Sequence, residues 1–130
     1  MANRRRCLSE SFLILSHRFG GDTRDPSESD LEEALRLVFI EDHPQMTEAD
    51  YEEHRGAFLR FGNDEGPMFL VYAYRHGDMV LEQWADVDYE DELVAPLYLR
   101  RVTFDDALRL WKFARNRDIL ALRQEPWVPS

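Results

Sequence analysis

Two apolar runs, Met68 to Arg75 and Met79 to Asp86, are separated only by His76-Gly77-Asp78. A gap this short is closed by a tight reversal, and glycine accepts the positive φ that such a turn requires. The pair therefore predicts an antiparallel hairpin. Phe69, Val71 and Ala73 alternate with Leu70, Tyr72 and Tyr74, so both faces of the first strand are apolar and call for cover on both sides. Ser9 to Arg18 reads the same way, with Phe12 and Ile14 on one face and Leu13 and Leu15 on the other. Ala95 to Val102 is a further strand, in which Pro96 fits an edge or a strand start because it has no N–H for a ladder.

Helical periodicity fills the intervals between these strands. Leu31, Ala34, Leu35, Val38 and Phe39 form one apolar stripe from about Ser29 to Ile40. Ser29 and Glu32 have the spacing of a capping box, and Glu32 and Arg36 stand four apart on the wet side. Pro44 breaks this helix. A second helix is expected from Thr47 to about Phe61, with Tyr51, Phe58 and Phe61 as its stripe and Gly56 as a local cost. A last helix runs from a Thr103 cap to about Asn116, with Phe104, Ala107, Leu108 and Trp111 on its inner face. The order β-α-α-β-β-β-α is an α+β domain, mainly antiparallel, with about three helices over the sheet. At 130 residues the chain is expected to be one domain with one core, residues 1–8 and 124–130 lying at its periphery.

Charge narrows the partners. The net charge is −10, from 26 acids against 16 bases, and it is unevenly placed. Asp22 to Glu53 and Glu82 to Glu92 are acidic, whereas Leu99 to Arg123 is basic. Phosphate backbones and anionic lipid surfaces require the opposite balance, so direct nucleic-acid and membrane binding are not expected. No run reaches the length of a membrane-spanning helix. The first residues lack the apolar core of a signal peptide. A single cysteine, Cys7, cannot form an internal disulfide, and this points to the cytoplasm.

Catalytic and metal signatures are weak. Cys7, His17, His43, His54 and His76 show no ligand spacing, and neither a nucleophile elbow nor a phosphate loop occurs. Asp86, Asp88 and Glu90 alternate like the start of a calcium loop, but Asp91 and Leu97 occupy the positions that need glycine and glutamate. No cofactor is expected. The segment with the best functional chemistry is the acidic bend, where Asp86, Asp88, Tyr89, Glu90, Asp91 and Glu92 follow Trp84. Tyr98, with Trp84 and Tyr89, is expected to flank it. Aromatic rings beside carboxylates suit Arg and Lys side chains. The expectation is an interaction module for a basic protein partner, of the kind seen in immunity proteins, antitoxins and other inhibitors. The alternatives are a small hydrolase or metal-dependent enzyme built from scattered His and acidic residues, or a subunit of a homodimer or larger complex that uses a sheet edge and Trp127.

Overall fold

The fold was obtained as a computed structural model, which describes residues 11–39, 47, 49 and 56–129. Six strands form one sheet: β1 (Ser11–Ser16), β2 (Asp22–Arg24), β3 (Gly56–Asn63), β4 (Met68–Tyr74), β5 (Met79–Trp84) and β6 (Glu92–Leu99). Their spatial order is β2-β1-β3-β4-β5-β6, and every neighbouring pair is antiparallel. The helices among the described residues are α1 (Glu28–Phe39), α2 (Phe104–Arg115) and α3 (Ile119–Arg123). The architecture is α+β with an antiparallel sheet, as the pattern of apolar residues implies.

One face of the sheet holds the core. Leu15, Leu59, Val71, Leu81 and Leu97 form a register row across five strands. Above this face α1 buries Leu31, Ala34, Leu35 and Val38, and α2 buries Ala107, Leu110, Trp111 and Ala114. Trp111 is fully enclosed, and its Nε1 donates to the Val71 carbonyl at 3.1 Å. This bond satisfies the indole's polar atom inside an apolar site and fixes α2 over β4. Truncating such a tryptophan to alanine costs about 3–5 kcal/mol.

The hairpin is as expected, with a single 3-10 turn over Arg75–Gly77 and left-handed backbone at His76 (φ 72°) and Gly77 (φ 84°). Glycine is needed there for space as well, because a Cβ would stand 2.5 Å from the Val102 carbonyl oxygen. Thr103 caps α2 by accepting the Asp106 N–H at 3.1 Å. Pro96 lies in β6, an edge strand. Tyr98, two residues on, exchanges both backbone bonds with Val128 on the outer side. Pro96 falls where the β5–β6 register shifts between Leu97 and Val94, a bulged edge position that tolerates a missing N–H.

Three expectations need correction. The predicted Thr47 to Phe61 helix does not extend to its end: Gly56–Asn63 is strand β3, while Tyr51 lies outside the described residues. The segment alternates, with Ala57, Leu59 and Phe61 buried and Phe58 and Arg60 opposite, and this period of two outweighs the sparse helical stripe. Gly56 is a packing requirement and not a helix defect, since a Cβ there would collide with the Ala73 carbonyl of β4. The capping box of α1 is Ser27 with Asp30, one turn-start earlier than Ser29 with Glu32. Ser27 Oγ accepts the Asp30 N–H at 3.1 Å, and Asp30 Oδ2 accepts the Ser27 N–H at 2.9 Å. Finally, β2 is an additional element, too short to show a periodicity, whereas α3 is the short helical turn that the segment from Asp118 onward suggests. The 124–129 segment runs beside β6, with Trp127 Nε1 donating to the Leu122 carbonyl at 2.7 Å.

The second face of the sheet differs from the first. Phe12, Phe58, Tyr72, Trp84 and Tyr98 lie on it, half-buried, together with Arg60 and Glu82. Helices α1, α2 and α3 place their buried residues in the core cluster of the other face, while Ile14, Met68, Leu70 and Val80 of this face are buried as well.

Candidate functional site: the acidic bend

The antiparallel pair β5–β6 is closed by residues 85–91, and its geometry is set by a single carboxylate. The Asp86 carboxylate accepts N–H groups from Asp88 at 3.3 Å, Glu90 at 3.2 Å and Asp91 at 3.0 Å. Ala85 N–H donates to the Asp91 carbonyl at 2.7 Å and closes the neck. Aspartate is suited to this role because its short side chain reaches the backbone a few residues on. The N–H bonds, that from Asp91 foremost, hold the Asp86 carboxyl below the usual carboxylate range.

The bend presents one aromatic residue at its tip. Tyr89 has φ 60°, a left-handed conformation that turns the chain, and it is 43% exposed. Its ring stands edge-on to Trp84 with centroids 5.3 Å apart. Trp84 Nε1 in turn donates to Glu82 Oε1 at 3.0 Å. The aromatic pair is thus held from the sheet side, with Tyr89 outermost. Tyr98 does not flank the bend. It pairs with Val80 at the far end of β5, roughly 13 Å along the strand from Trp84 at about 3.3 Å per residue, and Arg100 lies over its ring.

Asp88, Glu90, Asp91 and Glu92 are exposed, and among the described residues none forms an ion pair. One carboxylate oxygen each from Asp86, Asp88 and Glu90 lies within 4.8 Å of the other two. That spacing could admit a cation, but Asp86 already has both oxygens engaged, and calcium takes six to eight oxygen ligands. Three carboxylates in this state assemble no metal centre by themselves. They do concentrate negative potential at one place on the surface.

Sequence reasoning placed Trp84 and residues 86–92 together, and the structure places them on one bend. It missed the apolar residues beside them. Leu93 and Val94 are 49% and 47% exposed on the edge strand immediately after the bend. They fall between the acidic bend, read as ending at Glu92, and the strand expected from Ala95, whereas β6 begins at Glu92 and includes both. The other candidate ligands are not gathered: His17 bonds the Thr23 hydroxyl at 2.6 Å, His76 is exposed in the hairpin turn, and Cys7, His43 and His54 lie outside the described residues. Among the described residues, no helix is long and apolar enough to cross a membrane.

No family model matches the chain, and no curated protein or solved structure matches it either. The functional reading therefore rests on the bend itself.

Proposed function

We propose that this chain is a cytoplasmic protein–protein interaction module that receives the Arg and Lys side chains of a basic partner on the acidic bend. The observation that carries this reading is the pairing pattern: Asp86 is used to organise the bend, and the four carboxylates that follow it form no ion pair among the described residues. Acceptors fixed before binding lose little freedom when a partner docks, so more of each charge-assisted hydrogen bond remains as affinity. Tyr89 supplies exposed aromatic surface beside the charges, a residue type enriched where interfaces concentrate their binding energy, and Leu93 and Val94 add exposed apolar area.

An inhibitor such as an immunity protein or antitoxin is the role that best suits a small acidic module of this kind. Its negative field speeds encounter with a basic target and disfavours wrong partners. A homodimer through β6 is less favoured, because Pro96 offers no donor to a neighbouring strand and Val128 already occupies the Tyr98 position. The test is affinity capture from the source lysate at low and high salt, with an Asp88→Lys, Glu90→Lys, Asp91→Lys variant alongside. A basic protein retained by the native chain at low salt and lost by the variant is expected. Retention of the same protein by both chains, or of none by either, contradicts the proposal.

A further inference from the structure

A second feature lies on the sheet face opposite the helices, beneath the bend. The chain carries 26 acids against 16 bases, so carboxylates for pairing are abundant. Arg36 pairs with Glu32, Arg100 with Asp78, Arg109 with Glu125 and Arg117 with Asp25, while Arg18 donates to the Leu37 carbonyl, Arg115 to the Pro26 carbonyl and Arg123 to the Gln83 side-chain oxygen. The exposed Arg101 forms no ion pair and no hydrogen bond among the described residues, and the same holds for Arg24 and Arg60. Arg24 and Arg60 line the same hollow of about 230 Å³. The Nε of Arg60 is buried without a partner, an arrangement that is costly and that an acceptor brought within reach would relieve.

The register explains how the two arginines meet. Ile14 of β1 pairs with Arg24 of β2 on one side and with Arg60 of β3 on the other. They therefore share one face and straddle Ile14, with Cα atoms about 10 Å apart at the usual strand spacing. Two side chains of this length can close on one anion from both sides. Phe12, which the Arg60 guanidinium overlies at 5.7 Å, and Ile14 give the hollow an apolar floor. Val87 comes from the acidic bend and Asp64 from the connection after β3.

We infer that this hollow is a binding site for a small monocarboxylate with an apolar or aromatic body, its carboxylate held between Arg24 and Arg60. A carboxylate matches the fork of a guanidinium in two parallel hydrogen bonds. Phe12, Ile14 and Val87 accept the body. A single negative charge fits better than a phosphate dianion, because Asp64 is on the rim, Asp86 and Asp88 adjoin Val87, and repulsion from them grows with ligand charge. Occupancy would also touch the bend through Val87, so this site and the protein-binding surface share a wall.

The experiment is an NMR titration of the full chain, following the Arg60 Nε–H, the Ile14 and Val87 methyls and the backbone. The probes are benzoate, phenylacetate and isovalerate, with benzamide, phenylacetamide and inorganic phosphate as counterparts. At least one carboxylate is expected to shift Arg60 Nε–H and Ile14 together, saturating in the millimolar range or below. Its amide should bind at least about tenfold more weakly, as should phosphate. Arg24 is exposed, so Arg24→Gln keeps the fold, and it should weaken the carboxylate by about tenfold, as should Arg60→Gln. Three results would overturn the inference: no response at Arg60 to any carboxylate, equal binding of acid and amide, or unchanged affinity in Arg24→Gln. Phosphate binding as tightly as the best carboxylate would overturn the choice of ligand.

Discussion

Helix α1 and the bend between β5 and β6 each hold four carboxylates in a short stretch, and they use them differently. In α1, Asp30 completes the capping box with Ser27, Glu32 pairs with Arg36 at 3.2 Å, and Glu28 reaches Lys112 of α2 at 3.9 Å. Acids near a helix N-terminus also oppose the positive end of its dipole. The negative charge of these three is therefore explained within the fold, and Glu33 alone of the four has no ion pair among the described residues. In the bend Asp86 has the structural task, and Asp88, Glu90 and Asp91 face solvent without an ion pair among the described residues. Net charge along the chain cannot separate these cases, whereas the partners of each carboxylate do.

The comparison can be broken or sharpened by experiment. The largest effect is expected from Asp86→Ala, which removes the acceptor of three N–H groups while leaving the exposed charges in place. Hydrogen exchange at Asp88, Glu90 and Asp91 should accelerate, and affinity for the basic partner should fall by about tenfold as the bend loses its fixed form. Unchanged exchange would show that the bend is ordered by something other than Asp86. Ser27→Ala should act in the opposite sense, lowering stability by about 1 kcal/mol through the lost cap and leaving partner affinity alone. Thermal unfolding and a binding titration on the same sample check both halves.

Acid should affect both regions through the same kind of group. Asp86 and Asp30 are each held below the ordinary carboxylate range, in both cases by backbone hydrogen bonds to the charged form first of all. A depressed folded value means that the contribution is complete above the unfolded value, about 3.9, and is lost as pH falls through the folded one. Amide protection in the bend and at the start of α1 should therefore be constant from neutrality to about pH 5 and decline only below the ordinary carboxylate value. Loss of protection near neutral pH would contradict this assignment. The smallest effect belongs to Glu32→Gln, which removes an exposed i,i+4 pair and should cost about 0.3 kcal/mol, a shift best resolved by denaturant midpoints.

Much of the fold was legible because the sheet's strands announce themselves. The hairpin from Met68 to Trp84 follows from two apolar runs around a glycine turn. Helix α2 follows from a threonine cap and a regular stripe. Strand β3 was obscured because Phe58 and Phe61 happen to sit three apart, and only the wider alternation through Ala57 and Leu59 distinguishes strand from helix. The start of α1 was displaced because Ser27 with Asp30 and Ser29 with Glu32 have identical spacing. Which pair closes the box depends on where the chain enters from the sheet. The bend was visible as a run of acids beside aromatic residues, but the distinction between Asp86 and its neighbours is a matter of hydrogen-bond direction. Likewise, Arg24 and Arg60 are 36 positions apart in the chain, and only the register of β1 against two neighbours brings them to one hollow.

The central claim is that the bend's unpaired carboxylates form the interaction surface while those of α1 serve the fold. It is tested most directly by comparing two charge reversals, Asp88→Lys, Glu90→Lys, Asp91→Lys and Asp30→Lys, Glu32→Lys, Glu33→Lys, for both melting temperature and retention of the basic partner. The account predicts that the bend variant melts like the native chain and loses at least about 100-fold in affinity, as expected for several charges at one interface. The α1 variant should melt lower, through loss of its cap and dipole complement, and bind within about twofold of the native chain. A bend variant that binds normally, or an α1 variant that melts normally and fails to bind, would contradict it.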